Sequence, residues 1–389
     1  MAKKAYIGVD GVARKIKKGY VGVDGVARKI KKAYIGIGGV ARPCWSGGEL
    51  AYYGTITELS QARYWLAATS VGNHALFAGG TYERTVSDTV DAYDESLTRT
   101  SPTKLGISRC HLTGCSSPNR AMFIGGASSR TASGGFKYGD FYNTSLTRTH
   151  TSCLSKATWD MASARVGNYA VFAGGRYSSS APIATVRAFN DSDDATPDAL
   201  AIASYLMAGA SVGDYALFAG GRSSGSCSAT AEAYNKSLTH TIPNNGLSVS
   251  RYSLAATTIG NYALFAGGVA STVGSPIPSV YVDAFDKSLV RTTLTALTVG
   301  RYDLSATTLG NYAVFGNGRT TRDDATKTVY DIYDASLTKT TITTTRVIGI
   351  NAATTIGNYA LFGGGYHEFN TDQTIVDTET NVVEAFTIA

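Results

Sequence analysis

The chain has 389 residues, 43% of them apolar, with 43 Gly, 8 Pro and a formal charge of +6. Many Gly and few Pro suit a folded protein full of tight turns, and exclude a disordered Pro-rich chain. The charge is uneven: residues 1–47 hold eleven Lys/Arg and two Asp, leaving 24 basic against 27 acidic residues beyond them. That mildly acidic remainder argues against a large nucleic-acid groove in the body.

Residues 3–45 carry a 14-residue period, KKAYIGVDGVARKI from Lys3, KKGYVGVDGVARKI from Lys17 and KKAYIGIGGVARPC from Lys31. Each copy places Asp-Gly or Gly-Gly between short β-prone runs, the composition of a two-residue hairpin turn. With Asp10-Gly11 as the turn, Val9 faces Val12, Ile7 faces Arg14 and Ala5 faces Ile16, a mostly apolar face. Tyr6, Lys15, Lys4 and Lys17 take the other. A lone hairpin is marginal in water, so this segment is expected to dock on a larger assembly. Tyr6, Lys15, Tyr20, Lys29, Tyr34 and Trp45 are the candidate anchor residues. Ser46-Gly47-Gly48 reads as a hinge, dividing a basic hairpin segment (1–48) from a main domain (49–389).

The main domain is organised on a hairpin that comes seven times, as in Arg251–Gly268, RYSLAATTIGNYALFAGG. Gly260-Asn261 tolerates φ > 0 and turns one buried strand into the next. The Gly-Gly pairs or their equivalents end at Gly80, Gly126, Gly175, Gly221, Gly268, Gly318 and Gly365, with gaps of 46, 49, 46, 47, 50 and 47 residues. A loop of variable length follows each pair, then a third strand such as Val282–Phe285. An Asx turn comes next (Asp94, Asn143, Asn235, Asp286, Asp334), then a Thr-rich fourth strand. A period in this range, with small apolar strands first and polar ones last, predicts an all-β, seven-bladed propeller. The last unit stops at its third strand. Thr55-Ile-Thr-Glu-Leu59 aligns with the fourth-strand segment Thr293-Leu-Thr-Ala-Leu297, so an N-terminal strand is expected to complete the last blade.

Two resemblances accompany these patterns. The GVARKIKK units and the terminal Gly39-Val-Ala-Arg-Pro-Cys-Trp45, about an eighth of the chain, resemble repeats at the N-termini of phage tail and other virion proteins from Gram-positive hosts. Residues 50–389 resemble the kelch repeat through the Gly-Gly pairs, the third-strand aromatic (Tyr93, Phe189, Tyr234, Phe285, Tyr333) and the Arg before the first strand (Arg63, Arg109, Arg251, Arg301). Two departures are the missing fourth-strand Trp and Gly316-Asn-Gly in the sixth unit.

A search for chemistry gives no catalytic residues, no metal ligands and no cofactor site. The five His (74, 111, 150, 240, 367) have no paired spacing, and His74 stands where other copies have the Tyr after the turn. Cys110-His111 with Cys115 lacks a second pair nearby and reads as buried strand residues. Five cysteines (44, 110, 115, 153, 227), without a CxxC, give no disulfide framework. Asp193, Asp194, Asp323 and Asp324 read as turn residues, and no Gly-x-Ser-x-Gly elbow or phosphate loop occurs. No apolar h-region follows the basic N-terminus and no 18-residue apolar run exists, so neither secretion by a signal peptide nor membrane insertion is expected.

The loops after the Gly-Gly pairs vary while the framework repeats. The distance to the third-strand Ala or its equivalent runs from 12 residues (Gly80 to Ala92) to 20 (Gly365 to Ala385). Loops on a rigid scaffold commonly carry binding. Tyr82, Arg84, Arg130, Lys137, Tyr138, Arg176, Tyr177, Arg222, Tyr366 and His367 are the candidate binding residues. The expectation is a phage or prophage virion protein, in multiple copies, held to other virion proteins through residues 1–48. Its propeller would bind a host-surface glycan or protein, without nucleic acid. The alternatives are a kelch-like adaptor and a carbohydrate-active propeller enzyme.

Overall fold

The computed structural model describes residues 6–9, 12–15, 19–23, 26–30, 32–37, 40–46, 48–129, 134–178, 181–270, 276–320, 328–344, 349–371 and 374–388. For residues 6–46 and 367–378 the description is of the backbone. Every regular element among these residues is a strand.

Seven four-stranded antiparallel sheets make the body. Blade 5 shows the plan: Ala255–Ile259, Tyr262–Ala266, Val282–Phe285 and Arg291–Thr293, each paired with the next. The first strands of blades 1 to 7 are Ala67–Val71, Thr113–Ser116, Ala162–Val166, Ala208–Val212, Ala255–Ile259, Ser305–Leu309 and Ala352–Ile356. Each lies beside the next, and the seventh lies beside the first. The molecule is a closed seven-bladed β-propeller.

Closure comes from the N-terminal side as expected, through a strand that begins five residues before the aligned segment. Leu50–Thr55 pairs with Val383–Ile388 and completes blade 7, with a bulge between Ala385 and Phe386. The aligned segments Thr55–Leu59 and Thr293–Leu297 are equivalent, but they lead out of the fourth strand rather than form it. Ile56 N donates to Val383 O and Leu59 N to Asn381 O, as Leu294 N donates to Val282 O and Leu297 N to Val280 O. Leu59 and Leu297 then drop into the core. Both ends of the body are thereby held in one sheet, with Leu50–Thr55 as its outer strand.

The core lies between neighbouring blades. Leu76, Ala78, Val90 and Ala92 of blade 1 pack on Ala121, Phe123 and Tyr142 of blade 2, and similar clusters fill the other junctions. Third-strand tyrosines bury their rings and use the hydroxyl to pin the segment leading into their own blade. Tyr93 donates to Thr57 O, Tyr142 to Thr103 O, Tyr234 to Asp198 O and Tyr333 to Thr295 O, at 2.7–2.8 Å. The Asx turns also form: Asp286 Oδ1 accepts from Ser288 N and Val290 N at 2.8 and 3.0 Å. Four Arg that precede first strands reach into their own blade. Arg63–Asp91, Arg109–Asp140, Arg251–Asp283 and Arg301–Asp331 are buried pairs at 2.5–2.8 Å.

The Gly-Gly pairs are interblade joints. A Cβ on Gly79 would stand 2.6 Å from Arg109 O of the next blade, and one on Gly80 would stand 2.7 Å from Tyr64 O. Neither position has room for a side chain. In blade 6 Asn317 takes the first position at φ +60°, a conformation Asn tolerates better than other side chains.

The N-terminal segment forms three two-stranded sheets. Ile7 pairs with Arg14 and Val9 with Val12, the register expected from the turn, while Ala5 and Ile16 lie outside the described residues. Backbone pairs also join Tyr6 to Lys15, Tyr20 to Lys29, Tyr34 to Pro43 and Ala33 to Trp45.

Candidate functional site

In each blade the first strand begins, and the second ends, on the same face of the ring. That face therefore carries the variable loops and one mouth of the central axis. The opposite face carries the Gly-Asn and Asx turns.

Two residues after the Arg column, each blade places one residue at the axial mouth: Trp65, His111, Asp160, Leu206, Ser253, Asp303 and Ile350. Their backbones are all left-handed, with φ between +43° and +55°. A run of backbone hydrogen bonds joins six of them, Trp65 to Asp303, across blades. His111 N donates to Trp65 O, Asp160 N to His111 O, Leu206 N to Asp160 O, Ser253 N to Leu206 O and Asp303 N to Ser253 O, at 2.9–3.3 Å. These bonds explain the conformation and leave the residue type open, yet Gly, the residue best suited to it, occurs at none of the seven. Such strain costs about 1–3 kcal/mol per residue, and the bulky or β-branched Trp65, Leu206 and Ile350 are costly choices. Leu97, Leu146, Leu238, Leu289 and Leu337 in the Asx turns are also left-handed, but they pack against the core. The mouth residues line a cavity of about 350 Å³, floored by Leu66, Leu112, Met161, Met207, Leu254 and Leu304 with Asn351 in the seventh place, although Ile350 and Trp65 also pack on Tyr64 and Tyr366.

The lining has two sides. On blades 7, 1 and 2 runs an aromatic arc. Tyr366 lies 5.4 Å from Tyr64, Tyr64 lies 4.7 Å from Trp65, and Trp65 lies 4.3 Å from His111, ring centre to ring centre. His111 Nδ1 is 2.9 Å from Asp160 Oδ1, and Asp160 Oδ2 is 2.8 and 2.7 Å from Arg176 Nε and Nη2. Burial alone would raise the Asp160 carboxyl, but His111 and Arg176 outweigh it and hold Asp160 below the ordinary carboxylate range. Asp303 and Ser253 sit across the axis on blades 6 and 5. Burial pushes the Asp303 carboxyl up, against a hydrogen bond from Ser253 and the charge of Arg319.

A second shell begins with the residue after each Gly-Gly pair, which bridges back to the residue after the Arg column in all seven blades. Three of these are Arg on aromatic faces. Arg176 lies 4.8 Å from the Tyr205 ring centre, Arg222 5.5 Å from Tyr252, and Arg319 5.5 and 5.4 Å from Tyr302 and Tyr366. Each such contact contributes about 0.5–2 kcal/mol.

Of the loop residues singled out from sequence, Arg176 lines this cavity, while Arg222 and Tyr366 stand behind its lining at the bridges just described. Tyr82 and Arg84 lie farther out on a short hairpin, Thr81–Tyr82 with Thr85–Val86, Tyr82 donating to Glu83 at 2.6 Å. Tyr177 is exposed beneath Lys156, whose Nζ is 5.1 Å from its ring centre. Lys137 and Tyr138 lead into the third strand of blade 2, where Tyr138 stacks on His150. Arg130 lies outside the described residues. The backbone of His367 lies in Tyr366–Thr371, with its side chain outside the description. The anchor residues are placed by backbone pairing alone, as given above.

Sequence reasoning missed Trp65, His111, Asp160, Ser253 and Asp303. Their signal was a column of unlike residues, two positions after the Arg column, with the same gaps as the Gly-Gly pairs. A second, open groove of about 680 Å³ lies where blades 7 and 1 meet, beside Gln61, Tyr82, Ser101 and Lys104. It gathers no buried charge. Among the described residues no group of three or more His, Cys, Asp or Glu could hold a metal ion, and no helix is long and apolar enough to cross a membrane.

No protein-family model and no curated protein matches the chain. The chain is similar to the solved structure described as "Structure of YjhT", with 11% identity and a TM-score of 0.60, over 74% of this chain and 99% of that one. At that identity the likeness is one of fold.

Proposed function

We propose that this protein is a virion structural component, tethered to other virion proteins through residues 1–48 and presenting its propeller as a binding head for a host surface. The observation that carries this reading is the division of labour in the molecule. The framework repeats seven times, whereas one face gathers the variable loops and the axial mouth with its seven strained, mostly unlike residues. Variation confined to one face of a rigid scaffold is the layout of a binding surface. The three repeated hairpins are separate two-stranded sheets, each marginal alone, which supports docking. Their resemblance to phage virion repeats supports the particle as the partner, and the kelch-like columns support an interaction propeller.

The test is particle incorporation. Full-length protein and a 48–389 truncation are expressed in cells making particles that lack the native copy, and purified particles are examined by mass spectrometry. The proposal expects the full-length form alone in the particles. Incorporation of both forms, or of neither, contradicts the tether.

A second reading, a carbohydrate-active propeller enzyme, is favoured by one feature. Asp160 holds His111 by Nδ1 at the cavity, the arrangement of an oriented general base. Turnover of a cell-envelope polysaccharide, lost in His111→Gln, is what that reading requires.

A further inference from the structure

The axial mouth combines three properties that together define a ligand class. The first is an aromatic pair on one side, Trp65 and His111, backed by the buried rings of Tyr64 and Tyr366. The second is a hydrogen-bonding side opposite, where Asp303 and Ser253 line the same cavity. The third is charge balance: Asp160 is already taken by His111 and Arg176. Arg319 and Arg222 lie over tyrosine rings in the surrounding shell. A phosphate or sulfate would meet the Asp303 carboxylate across the cavity. A cation would meet Arg176 on the lining and Arg319 behind it. A flat ring with an apolar face and hydroxyl edges meets no such penalty. Its face covers Trp65, and its hydroxyls donate to Asp303 and exchange hydrogen bonds with Ser253. The volume is at the small end of the range for ligand sites, about 300–1,000 Å³, and suits a short ligand.

We propose that the axial mouth is a binding site for a neutral saccharide unit, stacked on Trp65 and hydrogen-bonded by Asp303. This rests on the reading of this face as the binding face, and names its ligand. Asp303 fits the role in a further way. A carboxylate whose charge is disfavoured by burial costs stability and is retained where function uses it. The mouth also explains why seven equivalent positions hold mostly unlike residues: a ligand without sevenfold symmetry needs a different contact from each blade.

The test uses the full-length chain on an array of neutral hexose and N-acetylhexosamine oligosaccharides, with sialylated, uronic-acid and glycerol-phosphate oligomers as comparison. Two variants are chosen to keep the fold, because Gly and Asn suit left-handed positions: Trp65→Gly and Asp303→Asn. Lys104→Ala, in the outer groove, is the control. The expected result is binding to neutral oligosaccharides, weakened about tenfold or more by both mouth variants and unchanged by the control. Circular dichroism should show both variants folded. Binding only to acidic or phosphorylated oligomers, no binding to any saccharide, or neutral-saccharide binding untouched by the mouth variants would overturn the proposal. Attachment of particles to host cells separates this failure from failure of the parent reading. Attachment that is lost in Trp65→Gly but is also destroyed by protease treatment of the cells would make the mouth a protein site. The saccharide proposal then falls while the binding head stands. Attachment indifferent to every change on this face removes both.

Discussion

Breaking the buried pair Arg251–Asp283 should destabilise the propeller far more than its modest geometry suggests, and in an unequal way. Both side chains are fully buried, with Nη2 2.8 Å from Oδ2. Asp283 also accepts from Ser248 N and Oγ, at 3.1 and 3.0 Å, and from Arg291 at 3.1 Å. Arg251 has two further acceptors, Phe265 O and Val249 O, and both are neutral. Asp283→Ala therefore leaves a buried guanidinium without a counter-charge, a loss of about 3–5 kcal/mol. Arg251→Met leaves a carboxylate that still has Arg291 and Ser248, so it should cost less than Asp283→Ala. The double variant Arg251→Met with Asp283→Val should recover about 2 kcal/mol or more of the summed cost, because two apolar side chains replace a desolvated pair. Blade 4 shows that the fold accepts another solution. Ser204 stands in the Arg position there, and Glu232 turns instead to His240 at 2.7 Å. Equilibrium urea unfolding followed by circular dichroism measures the three variants beside Asp214→Ala, which removes an exposed pair with Lys236 and should cost under about 1 kcal/mol. Additive single costs within about 0.5 kcal/mol, or a cost for Asp283→Ala no larger than that of the exposed control, would refute the reasoning.

Four further outcomes follow from the same structure. A 48–389 truncation should melt with the full-length chain, whereas 57–389, which lacks Leu50–Thr55, should lose cooperativity or melt well below it; equal melting would show that blade 7 does not depend on that strand. Stability should fall steeply below about pH 4. Arg63 and Arg251, with hydrogen bonds from Ser60 and Ser248, outweigh burial and hold Asp91 and Asp283 below their ordinary 3.8, so their contribution is full above that value and lost as pH drops through the folded values. Asp303 has the opposite sign: its raised folded value makes its ionisation a cost at neutral pH, so Asp303→Asn should be more stable than the parent at pH 7, with the gap closing in acid. Burial pushes the thiols of Cys110 and Cys115 up to about 11 and that of Cys153 up to about 12, so iodoacetamide at pH 8 should label the fully buried Cys110 only after denaturation and the half-buried Cys115 and Cys153 slowly, as read by peptide mass spectrometry; rapid labelling of Cys110 in the native protein would contradict its burial.

How much of this was legible in the sequence depends on whether a residue repeats. Gly-Gly, Gly-Asn-Tyr and the Asx turns recur in most blades because each solves one steric problem of the repeat, so blade number and strand order could be read directly. Closure was legible from the match of Thr55–Leu59 to Thr293–Leu297. Its strand was placed too late, because the matched residues form the outgoing segment, whose buried Leu59 and Leu297 give the stronger pattern. The half-exposed Leu50–Thr55 gives none. The mouth was not legible, because its residues come one per blade, 46 to 50 positions apart, and work by being different. Loop variability found Arg176 of its lining, and Arg222 and Tyr366 behind it, because those residues follow the Gly-Gly pairs directly. It could not find Trp65 or Asp303, which stand on the short, regular side of the same face.

Hydrogen–deuterium exchange on the full-length protein, with and without solubilised host-envelope polysaccharide, tests most directly that one face of this propeller is its binding surface. The account predicts added protection at residues 64–66, 110–112 and 302–304 and in the loops after the Gly-Gly pairs, with the turns at 72–73, 94–98 and 286–290 unchanged. Protection on those turns instead, or none on the mouth at saturating polysaccharide, would contradict it.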